Sequence, residues 1–524
     1  MSDIHNPVLR GFNPDPSILR VGNDYYIATS TFEWWPGVQL HHSRDLVNWE
    51  QMQSPLSRLS QLNMIGNINS GGIWAPCLSY SDGLFYLIYT DVKSRLGAYK
   101  DAHNYLVTAE NIEGPWSDPV YLNSSGFDPS LFHDDDGKKW ILNMIWDHRK
   151  GKNSFAGTAL QEYSVEKQKL VGPVKNIFKG TDLRLTEAPH LYKRNGYYYL
   201  MTAEGGTSYK HAVTMARSKN IFGPYEVDPA NPVLTSYKHD ELTLQKAGHA
   251  SIVETQNGEW YLAHLCGRPV KDKQCILGRE TAIQKCYWTE DGWIRTEGDG
   301  HPRDIVPAPD LPQMPASPEE NHDNFDGDTL KLYWNALRQP FSEDWMSLSE
   351  RKGYLRLKGA ESLRSTHRQS VVARRLDTFH AKFETKVEFD PKHFQHMAGL
   401  IAYYDTSDHA YLRISHDEEI GKNLNIIYTD SDKYDEPLTE CVSLSENKPV
   451  YLKGNINREL LQFSYSLDGE DWNKIGKALD ISHLSDDNLE EDLRFTGTFV
   501  GMCCQDLSGT NQPADFDYFY YERL

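Results

Sequence analysis

The stretch Thr186-Glu187-Ala188-Pro189-His190 leads into Asn195-Gly196-Tyr197-Tyr198-Tyr199, which is a tight turn followed by an aromatic run. The same order of features, a short anchor and then a Gly-bearing turn with aromatic residues, occurs five times in residues 13–261. The anchors are Asp15 in Asn13-Pro14-Asp15-Pro16-Ser17, Trp74 in Trp74-Ala75-Pro76, Asp128 in Phe127-Asp128-Pro129-Ser130, Glu187, and His249 in Gly248-His249-Ala250. Successive anchors are 59, 54, 59 and 62 residues apart. A repeat of this length, with several short strands in each unit, predicts a five-bladed β-propeller.

Three of the five anchors are carboxylates, namely Asp15, Asp128 and Glu187. Because equivalent positions of radially arranged blades converge on one axis, we expect these three side chains to meet at the mouth of one funnel. Two carboxylates in different surroundings can divide into a general acid and a general base. Cleavage of a glycosidic bond requires such a pair. The repeat therefore predicts an active site on the propeller axis.

Each anchor also has a purely structural interpretation. An Asp before a Pro, as at Asp15 and Asp128, commonly forms a turn. Trp74 could fill the core, and His249 could be a hydrogen-bonded structural histidine. The shared register favours the functional interpretation for the carboxylates, since a turn by itself rarely requires the Glu at position 187.

The second half of the chain also reads as strands, so we predict an all-β protein of two domains. The segment Ala381-Lys382-Phe383-Glu384-Thr385-Lys386-Val387-Glu388-Phe389 alternates with a period of two, and no helical pattern is evident, which favours a β-sandwich of jelly-roll or concanavalin-like type. Six prolines punctuate residues 302–318. We therefore predict a propeller in residues 1–305, a stiff Pro-rich linker in 306–319 and a sandwich in 320–524. The acidic run 485–492 is expected to be a solvated loop.

Composition narrows the function further. The net charge of the 524 residues is -20, which argues against nucleic acid or an anionic membrane as partner and suits a neutral substrate. No apolar segment approaches a transmembrane length, and the first residues show no secretory leader. The seven cysteines are odd in number and scattered, which is typical of reduced thiols rather than a disulfide framework. Since thiols stay reduced in the cytosol, we predict a cytoplasmic protein. A homo-oligomer, dimer or tetramer, is left open.

The three carboxylate motifs, 13–17, 127–130 and 186–190, resemble the signature of glycoside hydrolase family 43. Four longer stretches resemble the two-domain β-xylosidases of that family: 11–17, 71–76, Leu277-Gly278-Arg279-Glu280-Thr281-Ala282 and 495–504. The motifs occur in the family's order and span nearly the whole chain. The resemblance implies an inverting enzyme that releases D-xylose from the non-reducing end of β-1,4-xylo-oligosaccharides, with α-L-arabinofuranosidase side activity.

The resemblance also implies a role for each site residue. Asp15 would be the general base, Glu187 the general acid and Asp128 the residue that adjusts the acid's pKa and orients the sugar. The sugar subsite would be lined by Phe32, Trp74, Phe127, His249 and Arg279, and closed from the second domain by Phe495, with Phe499 as a near competitor. Arg279 could instead pair with Asp128. No cofactor is required, although His249 could help to hold a Ca²⁺ ion at the propeller centre.

Other functions remain open at this point. The same catalytic set serves enzymes that act primarily as α-L-arabinofuranosidases. A non-catalytic sugar-binding propeller would keep the aromatic residues but should lose a carboxylate, and none is missing. A retaining fructosidase shares the architecture, but its motifs differ from the Asn-Pro-Asp-Pro, Phe-Asp-Pro and Glu-Ala-Pro sequences of this chain.

Overall fold

The computed structural model describes residues 3–315, 320–488 and 494–524, and every regular element in them is a β-strand. The prediction of an all-β protein with a five-bladed propeller and a C-terminal sandwich is confirmed. In the described part of the chain no helix is long and apolar enough to cross a bilayer.

Five antiparallel sheets form the propeller blades. Blade 1 comprises Ser17–Val21, Asp24–Thr29, Gln39–Ser43 and Glu50–Met52, and blade 2 comprises Gly72–Ser81, Leu84–Ser94, Asp101–Ala109 and Val120–Asn123. Blade 3 comprises Ser130–His133, Lys139–Trp146, Phe155–Ser164 and Lys169–Phe178, and blade 5 comprises Gln245–Glu254, Trp260–Gly267, Arg279–Trp288 and Ile294–Thr296. Blade 4 comprises Glu187–Arg194, Tyr197–Glu204, Ala212–Ser218 and Glu226–Val227, with Leu234–Thr235 beside its third strand. Four of the predicted anchors lie near the start of the first strand of their blade or just before it, and His249 lies in the middle of Gln245–Glu254. All five therefore face the propeller axis.

The Gly-bearing turn of each repeat joins the first two strands of its blade. In blade 4, Asn195 and Gly196 both have positive φ, 49° and 77°. A two-residue hairpin turn of this kind needs positive φ at both central positions, which Asn-Gly provides at little cost. The turn fixes the pairing of Arg194 with Tyr197, and through it the register of the strand that begins at Glu187.

Ile305–Pro307 pairs antiparallel with Asp3–His5. Hydrogen bonding of the first domain thus continues into the first residues of the predicted linker. The end of that linker, residues 316–319, lies outside the described residues.

Two sheets form the sandwich. One contains, in spatial order, Met346–Ser347, Leu355–Lys358, Pro513–Arg523, His380–Phe389, Val450–Asn457, Leu460–Ser466 and Asn473–Lys474, with His322–Asp323 and Leu479–Asp480 at its sides. The other contains Lys433–Asp435, Gly421–Asp430, Asp408–Asp417, His396–Asp405, Phe499–Asp506, Ser370–Arg375 and Asn335–Leu337, with Val442–Ser443 beside its second strand. The inward side chains of the two sheets form one continuous core, as the alternating burial of His380–Phe389 illustrates.

The second sheet does not end within the sandwich. Its last strand is Trp34–Trp35 of the propeller, which pairs with Ala336 and Leu337. Trp34 is fully buried, and its ring stacks on that of Phe499 at 3.7 Å. The two domains therefore share both a hydrogen-bonded sheet and an aromatic core.

A second close contact joins the domains beside the propeller axis. Gly278 has φ +72°, and a Cβ atom there would lie 2.6 Å from the carbonyl oxygen of Thr496. A Cβ atom on Gly497 would lie 2.7 Å from the carbonyl oxygen of Leu277. The two backbones can approach this closely only because both residues are glycines.

Candidate active site

A cavity of about 420 Å³ opens at the axial end of the propeller, beneath the sandwich. All the residues predicted for the site line it: Asp15, Phe32, Trp74, Phe127, Asp128, Glu187, His249, Arg279 and Phe495. Phe499 does not line it and is instead fully buried against Trp34. Anchors separated by more than 200 residues of sequence thus reach one cavity.

Unusual backbone geometry turns these side chains toward the axis. Asp15, Asp128 and His249 have positive φ, at 57°, 54° and 46°. In blades 2 and 4 the positive φ belongs instead to the residue after the anchor, which is Ala75 or Ala188. Positive φ is rare and strained for residues other than glycine, and it is concentrated at functional sites. Breaks in strand register after Trp74, after Glu187 and around His249 also redirect the chain there.

Asp15 is buried among groups that stabilise its negative charge. Nη1 of Arg279 donates a hydrogen bond of 2.9 Å to Oδ1, and the Ser30 hydroxyl donates one of 2.6 Å to Oδ2. Nδ1 of His249 lies 3.5 Å from Oδ1. Burial alone would raise the pKa of Asp15, but Arg279, His249 and Ser30 outweigh it and hold the pKa below the ordinary value. Asp15 is therefore ionised at neutral pH.

Glu187 and Asp128 have raised pKa values, in contrast to Asp15. Burial, and then the negative charges of Asp128 and Asp15, raise the pKa of Glu187 well above the ordinary value. Burial and Asp15 also raise the pKa of Asp128, although Asp128 accepts a 3.1 Å hydrogen bond from the N–H of Ala188. The site therefore places an ionised carboxylate opposite a pair that retains a proton.

Arg279 connects the base to the second domain. Besides Asp15 it contacts the hydroxyl of Thr207 at 3.1 Å, and its Nη2 donates a 2.9 Å hydrogen bond to the carbonyl of Phe495. The alternative that Arg279 pairs with Asp128 is wrong, because the ion pair is with Asp15. One guanidinium group thus orients both the base and the segment that carries Phe495.

The acidic run approaches the same arginine. Oδ2 of Asp486 lies 3.9 Å from Nε of Arg279, and Nζ of Lys246 contacts Asp486 at 3.1 Å and Asp487 at 2.7 Å. The expectation of a solvated loop is wrong for Asp486, whose side chain is 3 % exposed. Residues 489–492 of the run lie outside the described residues. Two acids of the sandwich and a lysine of blade 5 therefore pack behind Arg279.

Aromatic rings form the walls of the cavity. The centroid of Trp74 lies 5.4 Å from that of Phe127 and 5.3 Å from that of Phe495, and Phe32 lies 5.9 Å from Phe495. The N–H of Phe495 donates to the hydroxyl of Ser70, which attaches the sandwich segment to the propeller. Apolar walls lower the local dielectric constant, which strengthens the electrostatic interactions of the carboxylates.

Comparisons with known proteins identify the family. The sequence model described as "Glycosyl hydrolases family 43" matches residues 4–294, and that described as "Beta xylosidase C-terminal Concanavalin A-like domain" matches 322–522. The chain belongs to glycosyl hydrolase family 43. It is thus a glycoside hydrolase, as the resemblance of its motifs implied.

Relatives of family 43 match along their full length. A solved structure titled xylan β-1,4-xylosidase, from Bacillus halodurans C-125, is 64 % identical with a TM-score of 0.98, covering 99 % of this chain and 100 % of that one. A protein of Bacillus subtilis (strain 168) named β-xylosidase is 55 % identical over 99 % of both chains. A protein of Humicola insolens named xylosidase/arabinosidase 43B is 51 % identical, covering 99 % of this chain and 98 % of the relative.

The side chains near His249 bear on the Ca²⁺ ion that was predicted for the centre of this family 43 propeller. In residues 3–315, 320–488 and 494–524 no group of three or more His, Cys, Asp or Glu side chains is arranged to hold a metal ion. The groups that interact with His249 include Asp15 and two buried imidazoles, those of His190 and His211. Ca²⁺ prefers six to eight oxygen ligands. Since backbone carbonyls and waters can also be such ligands, a Ca²⁺ ion at this position stays a prediction.

Several residues of the family 43 site carried no signal in the sequence. Ser30 directly follows the second strand of blade 1, outside any repeat motif, yet it donates a hydrogen bond to the base. Thr207 and Lys246 reach Arg279 or its partners from loops and strand ends. The outer part of the cavity is lined by Arg95, Lys100, Trp146 and Phe155, with Nζ of Lys100 4.2 Å from the ring centroid of Trp146. Comparing blades strand by strand could have identified Ser30, because it lies beside the anchor of its own blade.

Proposed function

We propose that this family 43 enzyme is an inverting exo-β-xylosidase, which releases D-xylose from the non-reducing end of β-1,4-xylo-oligosaccharides. The observation that carries the proposal is the division of charge in one enclosed cavity, with Asp15 ionised and Glu187 protonated. The names of the relatives from the two Bacillus species support xylose as the sugar.

In the proposed reaction, Glu187 donates its proton to the glycosidic oxygen as the bond to the leaving sugar breaks. Asp15 removes a proton from a water molecule that attacks the anomeric carbon from the opposite face. The bond between carbon and water oxygen forms as the bond to the leaving group breaks, so the configuration inverts. Asp128, hydrogen-bonded to Ala188, raises the pKa of Glu187 and keeps the acid protonated. No cofactor takes part.

The enclosure of the cavity supports exo action on small oligosaccharides. Phe495 of the sandwich contacts Phe32 and Trp74 over the axial opening, which would otherwise accept a long polymer. We therefore propose a pocket for one terminal xylose, and a sandwich domain that closes this pocket rather than binding polysaccharide separately. We propose the same domain bounds as the sequence predicted: a propeller through residue 305, a linker, and a sandwich from residue 320.

α-L-Arabinofuranosidase activity is the second candidate, as a side activity of the same residues. The Humicola insolens relative, named for both sugars, favours it. Rates on matched nitrophenyl β-D-xyloside and α-L-arabinofuranoside would compare the two activities. A higher kcat/KM for the arabinofuranoside would reverse their order.

Product stereochemistry tests the main proposal. Proton NMR of xylobiose hydrolysis should show α-D-xylose as the first product, before mutarotation. The Glu187→Gln variant, which preserves the shape of the acid, is the matched control and should release almost no xylose. β-Xylose as the first product, or the retaining separation of about 5 Å between the carboxyl groups of Asp15 and Glu187 in a substrate complex, would contradict inversion.

We also propose that the enzyme works in the cytoplasm, in keeping with its seven free cysteines, and takes small oligosaccharides rather than polymer. Cell fractionation would test the compartment. Assembly into a dimer or tetramer stays a prediction, which light scattering on the purified protein would check.

A further inference from the structure

A second cavity, of about 560 Å³, lies where the propeller meets the sandwich. One wall comes from the N-terminal segment and blade 1, including Arg10, His41 and Trp49, and the other from the sandwich, including Arg374 and Arg375. It shares no lining residue with the active-site cavity. Its volume is that of a site for a small molecule.

The lining of this junction cavity is rich in positive charge. Its described charged residues, histidines aside, are four arginines and two carboxylates: Arg10, Arg374, Arg375, Arg523, Glu320 and Asp377. Both carboxylates already have cationic partners. Asp377 accepts hydrogen bonds of 2.7 and 3.1 Å from Arg523, and Glu320 lies 3.0 Å from Nζ of Lys331. In a chain of net charge -20, this surplus of arginine is a local exception.

Neither of the two central arginines forms a salt bridge with a described carboxylate, although Arg374 lies near enough to Asp377 to lower the pKa of that carboxyl. Arg374 is 8 % exposed; it donates a 3.2 Å hydrogen bond to the carbonyl of Glu320, and its Nε has no acceptor there. Arg375 donates to the carbonyl of Phe12 at 2.6 Å and to the side chain of Asn335 at 3.2 Å, and its Nη2 likewise has none among the described residues. Burial lowers the pKa of Arg375 to about 10. Burying a cation without a counter-ion is costly.

A neutral histidine stands beside these arginines. His41 is 9 % exposed, and neither of its ring nitrogens hydrogen-bonds to a described residue. Burial, and then Arg375, lower the pKa of His41 to about 3. The cavity thus combines two guanidinium groups that form no salt bridge with a described residue and an imidazole that forms no described hydrogen bond.

We infer that the junction cavity binds a small oxyanion, a carboxylate or phosphate group on a molecule of monosaccharide size or less, through Arg374, Arg375 and His41. Guanidinium groups suit carboxylate and phosphate because they can donate two parallel hydrogen bonds. Arg10, which is exposed and forms no described side-chain hydrogen bond or ion pair, stands at the cavity as a further cation. Trp49 offers an aromatic surface for a sugar ring. This inference does not depend on the proposed xylosidase activity.

Calorimetric titration of the full-length protein tests the site. The probes are inorganic phosphate and D-glucuronate at constant ionic strength, with the uncharged D-glucuronamide as matched control. We expect one-to-one binding of at least one anion and none of the amide. Arg375→Gln should weaken binding about tenfold or more, and Arg10→Gln should weaken it a few-fold. Arg44→Gln, an exposed blade 1 arginine outside the cavity, should not change it.

The outcomes distinguish the sources of the anion. Binding of glucuronate alone assigns the site to an acidic sugar, binding of phosphate alone assigns it to phosphate, and binding of both supports a general oxyanion site. Should Arg375→Gln fail to fold, Arg10→Gln decides, because its side chain supports no described contact. Absence of binding by both anions, equal binding of the amide, or unchanged affinity in Arg10→Gln and Arg375→Gln would overturn the inference.

Discussion

Ser30 offers the sharpest test of how the base is tuned. Its hydroxyl donates a 2.6 Å hydrogen bond to Oδ2 of Asp15 and accepts a 2.7 Å hydrogen bond from the N–H of Ala75. Ser30 is fully buried and does not line the active-site cavity, so it should not touch the sugar. The Ser30→Ala change therefore perturbs the base without removing a substrate contact.

The expected shift in the pKa of Asp15 follows from the strength of the Ser30 hydrogen bond to the ionised and to the protonated carboxyl. A hydrogen bond to a charged group contributes about 1.5–3 kcal/mol and a neutral one about 0.5–1.5 kcal/mol. Losing the hydroxyl therefore disfavours the ionised form by about 1–1.5 kcal/mol relative to the protonated form, or about one pKa unit. Because activity is lost as pH falls through the pKa of the base, the acidic limb of the kcat/KM profile should move to higher pH by about one unit.

Ser17→Ala is the matched control. Ser17 is also a buried serine of blade 1 whose hydroxyl accepts a backbone N–H from blade 2, that of Leu78 at 3.0 Å, but no hydrogen bond to Asp15 is described for it. The basic limb, set by the acid, should stay in place in both variants. An acidic limb that does not move in Ser30→Ala, or that moves equally in Ser17→Ala, would refute the reasoning.

Three further predictions concern the acid and the second domain. Asp128→Asn removes a negative charge that raises the pKa of Glu187, so the basic limb should move to lower pH and activity should fall; an unmoved limb would show that Asp128 does not tune the acid. Glu187→Ala should impair xylobiose far more than an activated nitrophenyl xyloside, which needs little protonation, whereas Asp15→Ala should impair both alike; equal loss on both substrates in the two variants would contradict the assigned roles. Phe495→Ala should raise KM for xylobiose by about tenfold or more, since its ring closes the cavity, and cutting the chain near Pro315 should abolish xylobiose hydrolysis; a folded, fully active fragment of residues 1–315 would refute the closing role.

The repeat predicted much of the site because residues at equivalent positions of the repeat occupy equivalent positions in the blades, close to the propeller axis. Asp15, Asp128 and Glu187 share a register, and any closed ring of blades brings such residues to one axis. The Asn195-Gly196 turn fixed its strand pair because both of its residues adopt the positive φ that such a hairpin turn requires. Neither inference required knowledge of packing.

Contacts between domains could not be predicted in this way. The ion pair of Arg279 with Asp15, rather than with Asp128, depends on which side of the axis blade 5 places the guanidinium group. Asp486 lies in an acidic run that looks solvated, and its burial follows only from Lys246, which is 240 residues away in sequence. The choice between Phe495 and Phe499 likewise depends on Trp34, which occupies the face of Phe499. Such long-range pairings leave no local pattern in the chain.

The strand Trp34–Trp35 has a consequence for how the molecule melts. It is covalently part of the propeller but hydrogen-bonded into the sandwich sheet, beside Ala336 and Leu337. Neither domain can then unfold without breaking the backbone hydrogen bonds that it shares with the other domain. Scanning calorimetry should therefore give one endotherm whose calorimetric and van't Hoff enthalpies agree. A recombinant exchange of sandwich domains between relatives would have to move this dipeptide as well, since the true structural seam runs through the first blade.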